Sequence, residues 1–197
     1  MKRTAFILLI LFFSFSVNAQ KETDTQQLGK ALEYFSSQKF HEALIIFEKL
    51  DKEYKLNPRY MAFIGTCYYY EWDYPNAIRY LDKAIPELNQ FAPHERSFYY
   101  WANAESHFNE KQYANAIPLY KEMLLLCYDN EKCDAYFKLG FCYMFGQEWD
   151  ESEDNFKHSL SYYLQFRNTP DEQARITQIK NILKGIEQQR KQVKQLK

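Results

Sequence analysis

Between Pro58 and Pro86 the chain reads PRYMAFIGTCYYYEWDYPNAIRYLDKAIP, and no other stretch restricts its fold as much. Met61, Ile64, Gly65 and Tyr68 recur at helical spacing before a polar break at Glu71 to Asp73, and Tyr74, Ala77, Leu81 and Ala84 recur after it. Two short helices joined by a tight turn are predicted. Asn57-Pro58 starts the first of them, because Asn caps a helix N-terminus well and Pro costs nothing at the first helical position. Gly65 and Ala77 are small where the two helices would have to approach closely, and larger residues fill the remaining space.

The same design recurs along the chain. Ala31, Tyr34, Ala43 and Phe47 form an earlier copy broken by Ser36 to Lys39, and Ala43 lies 34 residues before Ala77. A third copy carries Tyr100, Ala104, Ala116, Tyr120 and Met123. The fourth carries Tyr136, Leu139-Gly140, Tyr143 and Phe156, with Ser152 in place of the small Ala. In every copy an aromatic stands three residues before that small position: Phe40, Tyr74, Tyr113 and Trp149.

The spacing Met61-x2-Ile64-Gly65-x2-Tyr68, followed by Ala77-x3-Leu81-x2-Ala84, resembles the tetratricopeptide repeat (TPR). The resemblance implies an all-α, right-handed superhelical solenoid of about four TPR-like hairpins, with units at 24–57, 58–91, 97–130 and 133–166 and a capping helix over 169–197. Intervals of 39 and 36 residues, from Ala77 to Ala116 and on to Ser152, place insertions of about five and two residues in the loops near Pro86 to Pro93 and Cys127 to Cys133. Pro118 predicts a kink or a late start in the second helix of the third unit. Thr169-Pro170-Asp171-Glu172 reads as the capped start of the last helix, with Glu172 placed for a capping box and Ile176, Ile179, Leu183 and Ile186 on one stripe. The basic end of that helix is expected to be solvated.

The first nineteen residues read differently. Lys2 and Arg3 precede an apolar run from Ala5 to Phe15 and small residues near Ala19, the layout of a secretory signal peptide over 1–19, cleaved before Gln20. The run is short for a membrane span, so no integral span is expected after cleavage, and the protein is expected to be exported, periplasmic or secreted. Residues Lys21 to Gln26 are expected to fray, with helical periodicity starting near Leu28. Removing Lys2 and Arg3 takes the formal charge from −1 to −3, which leaves no electrostatic footprint for nucleic acid.

Export bears on the cysteines, since an oxidising compartment permits disulfides. Cys127 and Cys133 bracket the polar segment YDNEK between two predicted helices, where a bridge would staple a loop; two free thiols are the alternative. Cys67 and Cys142 fall on inward faces as small buried hydrophobes. No CxxC pair occurs, and His41, His94, His107 and His158 have no ligand-like spacing, so no metal or other cofactor is expected. No nucleophile-base constellation and no phosphate-cradling Gly-rich loop is present, so no enzymatic activity is expected. His107 replaces the Tyr of the repeat and is expected to be a core histidine hydrogen-bonded within its unit.

In the family it resembles, the first helices line a concave groove. Carried over by position, that groove includes Phe35, Arg59, Thr66, Tyr69, Tyr70, Phe98, Trp101, Glu105, Phe108, Asn109, Asp134, Phe137, Phe141, Met144 and Phe145. The line is strongly aromatic, and aromatic faces suit an extended or helical segment with apolar anchors. Arg59 and Asn109 are the only groups comparable to a carboxylate clamp. A non-enzymatic module binding a peptide or protein partner is the expected function. A structural subunit of a cell-envelope assembly, using its convex face or capping helix, is the alternative. These aromatics also have an alternative place in packing between neighbouring first helices, and the loop Glu87 to Pro93 one inside the groove.

Overall fold

The computed structural model describes residues 23–195, with side chains through residue 190. The leader assigned to 1–19 lies outside the described residues. Nine α-helices are found among the described residues: α1 (Asp24–Ser36), α2 (Phe40–Glu53), α3 (Pro58–Tyr70), α4 (Tyr74–Ala84), α5 (Pro93–Asn109), α6 (Tyr113–Leu126), α7 (Asp129–Phe145), α8 (Trp149–Phe166) and α9 (Gln173–Gln195). They pack as the hairpins α1·α2, α3·α4, α5·α6 and α7·α8, each against the next, with α9 laid on α8. This is the all-α solenoid that the resemblance implies.

Each hairpin turns in the same way. Gln38, Trp72, Lys111 and Gln147 sit at φ of 58°, 60°, 59° and 62°, the left-handed region that glycine adopts most easily. The N–H of the following residue (Lys39, Asp73, Gln112, Glu148) donates back across the turn to the carbonyl of Tyr34, Tyr68, His107 and Tyr143, at 2.8–3.0 Å. The left-handed residue itself donates to the carbonyl three positions earlier, which completes a Schellman closure and satisfies the last carbonyls of the first helix. The residue after the turn then starts the second helix with Phe40, Tyr74, Tyr113 or Trp149. The recurring aromatic is therefore the first residue of every second helix.

The small residues sit where the helices touch. Ala31, Ala104, Ala43, Ala77 and Ala116 are fully buried. A Cβ added to Gly65 would lie 2.6 Å from Leu81 Cγ, and one added to Gly140 would lie 2.8 Å from the Phe156 ring. Ser152 keeps the small volume of the Ala it replaces, and its buried hydroxyl donates to the Gly140 carbonyl at 2.9 Å. Ser159, two turns further along α8, donates likewise to the Cys133 carbonyl at 2.8 Å.

The tyrosines explain part of the unusual composition. Six of the seventeen donate their hydroxyl to a carboxylate: Tyr54 to Asp24, Tyr68 to Glu48, Tyr80 to Asp51, Tyr99 to Glu95, Tyr120 to Glu105 and Tyr163 to Asp134. All but the exposed Tyr54 are buried rings that fill a joint like Phe, while the hydroxyl reaches the carboxylate that a Phe would leave unmet.

The structure departs from the sequence reading in five places. Helix α1 begins at Asp24 and not near Leu28, because Thr23 and Gln26 form a reciprocal capping box. Helix α6 starts at Tyr113 and runs through Pro118, so the late start is not found. Helix α7 starts at Asp129, which places Cys133 inside a helix rather than at the far end of a loop. Its thiol is buried and donates to the Asn130 carbonyl at 3.2 Å, and all four cysteines are free. Helix α8 continues to Phe166, taking up the first two of the residues Gln165 to Asn168 that the sequence reads as a loop, while Arg167 and Asn168 lie outside it. At Thr169 no side-chain cap forms; Pro170–Glu172 is a single 3-10 turn, and Glu172 pairs with Arg167 instead of closing a capping box. Cys67 and Cys142 are buried as expected.

Candidate functional site

The first helices α1, α3, α5 and α7 form one face, and two clefts open on it. The first, of about 550 Å³, is lined by Phe35, Phe63 and Tyr70 from α1 and α3, by Phe98, Tyr99 and Trp101 from α5, and by polar groups at its lower edge. Its aromatic wall is continuous: Phe35 meets Phe63 at 4.5 Å and Phe40 at 5.6 Å, and Phe40 stacks on Tyr70 at 3.9 Å with the rings parallel. Trp101 packs edge-on against Tyr120 at 5.8 Å, which fixes the ring while leaving it half-buried.

Polar pairs border this cleft. Arg59 grips Glu95 with two bonds, 2.7 and 3.1 Å, and its guanidinium lies between the rings of Phe63 and Phe91 at 5.6 and 5.0 Å. The bond to Glu95 raises the Arg59 pKa against the opposing effect of burial. His94 sits 3.0 Å from Glu131 and stacks on Tyr128 at 4.0 Å. Asp134 accepts from Arg167 at 2.5 Å and from Tyr163. The loop between α4 and α5 stays at the rim, since none of the residues 88–92 lines the cleft.

The second cleft, of about 440 Å³, lies at the opposite ends of α5 and α7. Phe108 and Asn109, the start of α6 at Tyr113, then Phe137, Phe141 and Phe145, and Arg175 of α9 line it, together with Lys111 and Lys138. Tyr113 contacts Phe145 at 4.7 Å and Phe108 at 5.4 Å, and Phe141 contacts Phe145 at 5.9 Å. Lys138 reaches Glu105 at 2.7 Å while lying 4.5 Å over the Phe108 ring. Arg175 stacks 4.2 Å from the Phe137 ring.

The residues carried over from the repeat frame thus divide. Phe35, Arg59, Tyr70, Phe98 and Trp101 come together with Asp134 in the first cleft, and Phe108, Asn109, Phe137, Phe141 and Phe145 in the second. Phe137 is only 4% exposed and belongs to the core as much as to the cleft. Asn109 is held by its own helix, donating to the Glu105 carbonyl at 2.7 Å. Tyr69 lines neither cleft. It packs beside Tyr70 and Tyr74, and burial pushes its hydroxyl pKa well up. Thr66 and Glu105 are buried: the Thr66 hydroxyl finds no partner among the described residues, and Glu105 serves Tyr120 and Lys138.

His94, Glu95 and Glu131 are cleft residues that the fixed repeat offsets miss. Helices α5 and α7 are each 17 residues long against 13 for α1 and α3, and they begin upstream of the residues at which those units were started. Pro93 at a first helical position and the acidic pair Asp129/Glu131 in a first turn were the available signals. Arg175 comes from α9, whose register on α8 has no local sequence signature.

Among the described residues, no group of three or more His, Cys, Asp and Glu side chains is placed to hold a metal ion, and no helix is long and apolar enough to cross a membrane. No protein-family model matches the chain, and no curated protein sequence matches it. Solved structures do. The apo form of RapI superimposes with a TM-score of 0.66 at 11% identity over 86% of this chain, which spans only 64% of that protein. MamA gives a TM-score of 0.59 at 19% identity over 84% of this chain and 86% of its own. YrrB, a TPR protein with an unusual peptide-binding site, gives 0.60 at 18% identity over 73% of this chain and 71% of its own. At these identities the likeness is one of fold, and the fold of this chain is TPR-like.

Proposed function

We propose that the chain is a non-enzymatic interaction module that holds an extended segment of a partner protein on the face formed by α1, α3, α5 and α7. The observation that carries this reading is the first cleft. Phe35, Tyr70, Phe98 and Trp101 surround about 550 Å³ of open space that the hairpins do not need in order to close. Aromatic walls of this kind supply flat apolar contact at low entropic cost. The likeness to YrrB supports the reading at the level of fold.

The leader-like segment at 1–19 supports export, to the periplasm or the medium. The described thiols fit such a setting: burial pushes Cys127 and Cys133 up to about 11 and Cys142 to about 12, so none is a reactive thiolate at neutral pH. N-terminal sequencing of the natural protein should begin at Gln20. An assembly role through the second helices is the other reading, favoured by Leu125 of α6 at 77% and Leu164 of α8 at 44% exposure.

Panning a displayed pool of random twelve-residue segments against the full chain tests the cleft. Enriched segments should be lost when Phe98 and Trp101 are both changed to Ala in a variant whose helical circular dichroism is unchanged. Retention of the same segments by that variant would overturn the cleft as the binding surface.

A further inference from the structure

The two clefts share an aromatic character and differ in charge. The first is bordered by three carboxylates, Glu95, Glu131 and Asp134, and each is already met, by Arg59, by His94 and by Arg167. The second has Lys111, Lys138 and Arg175 in its lining and no carboxylate. Lys138 is committed to Glu105, but Lys111 and Arg175 form no ion pair among the described residues. A guanidinium held by stacking, as Arg175 is on Phe137, keeps its fork of N–H donors available for a carboxylate.

We propose that the second cleft receives an Asp or Glu side chain of the same partner segment whose apolar side chains lie in the first cleft. The inference rests on the binding reading above and specifies its ligand. Both clefts are built on α5 and α7, so their separation can be read from helix rise. Phe98 and Phe108 are ten residues apart on α5, which is about 15 Å at 1.5 Å per residue. An extended chain covers that distance in roughly four to five residues. The ligand is therefore a segment with an acid four or five positions from the apolar anchor seated in the first cleft. A side chain suits the second cleft better than a chain terminus. Asn109, the amide that would help hold both oxygens of a terminal carboxylate, is tied to the Glu105 carbonyl.

The displayed twelve-residue pool, fused to its carrier at both ends so that no free carboxylate is present, is panned on the full chain and on Arg175→Glu. Enriched segments should carry Asp or Glu four or five positions from an aromatic or aliphatic residue. A blocked synthetic peptide of that sequence should lose about tenfold in affinity on Glu→Gln. Arg175→Glu should lose a similar factor, and the peptide's Glu→Lys should recover part of it; Arg175→Gln, the same length as Glu and uncharged, separates loss of the guanidinium from repulsion by the new carboxylate. Enriched segments without the acid, or equal binding of the Glu→Gln peptide, would overturn the inference and leave the binding reading intact. Binding restored to the Glu→Gln peptide by a free C-terminus would overturn the side-chain assignment. A pool that enriches nothing would overturn the binding reading and this inference with it.

Discussion

The second and third hairpins close at the same positions with different chemistry. Between α3 and α4 the joint is dry: Gly65 lies against Leu81 and the Tyr80 Cβ, with Ile64 and Ala77 fully buried beside them. Between α5 and α6, Tyr120 stands where Leu81 does, and its hydroxyl donates to the buried carboxylate of Glu105. That carboxylate also accepts from Lys138 of the next hairpin at 2.7 Å. His107 stands where Tyr68 does, with Nδ1 at 2.7 Å from Gln112 and Nε2 at 3.5 Å from Asp82 of the preceding hairpin. The repeat frame therefore specifies volume at the joint and leaves polarity open. The polar joint does more than close its own hairpin, because its carboxylate and its histidine each bind a neighbouring unit. It also touches both clefts, through Trp101 on Tyr120 and Lys138 on Phe108.

The largest effect should fall on the dry joint. Leu81→Ala removes a fully buried side chain from a site closed on the other side by Gly65 backbone, which has little to relax inward. A loss of about 4 kcal/mol is expected in urea unfolding. The polar joint should answer differently. Glu105→Ala should cost about 3 kcal/mol by stranding Lys138 and the Tyr120 hydroxyl. Adding Lys138→Met and Tyr120→Phe to that variant should recover most of the loss, since the partners are then apolar too. No recovery in the triple variant would mean that the joint is held by packing alone, and the contrast between the two hairpins would collapse.

A smaller pair of changes isolates the need for glycine. Gly65→Ala should destabilise by about 2 kcal/mol through overpacking against Leu81. Gly29 lies inside α1 with nothing within 4 Å of an added Cβ, so Gly29→Ala should stabilise by about 0.5–1 kcal/mol through helix propensity. Thermal unfolding of the two variants should move in opposite directions. Movement in the same direction would show that Gly65 is not required by contact.

These joints mark how far the sequence could be read. Gly65, Ala77 and the aromatics at Phe40, Tyr74, Tyr113 and Trp149 announce the hairpins because each does one local job at a fixed spacing. The turn residues Gln38, Trp72, Lys111 and Gln147 adopt the left-handed conformation with no glycine to signal it, so the shared closure was invisible. Half of each cleft was legible, since Phe98, Trp101, Phe141 and Phe145 follow from helical position. The rest was not, because Glu105 was assigned to a surface where pairing with Tyr120 and Lys138 buries it, and Arg175 reaches its cleft only through the packing of α9 on α8. Which face a polar residue occupies depends on a partner some 15 or 30 residues away, and repeat spacing carries no record of that partner.

The smallest effect is a dependence on pH carried by His107 of the third hairpin. Burial opposes the charge on His107, but its bonds to Asp82 and Gln112 outweigh that and raise its pKa above the ordinary 6.5. Burial likewise opposes the charge on Asp82, and His107 and Asn103 overcome it and hold the carboxyl below 3.8. The fold thus favours His107 protonated and Asp82 ionised. The stability from His107 is fully present below pH 6.5 and is lost as pH rises through its folded value; that from Asp82 is lost only as pH falls below 3.8. Wild-type protein should unfold at a higher denaturant concentration at pH 6 than at pH 8.5. His107→Gln should flatten the difference, and Tyr68→Phe, the matching position in the dry hairpin, should leave it in place. Equal slopes in His107→Gln and wild type would sink the assignment.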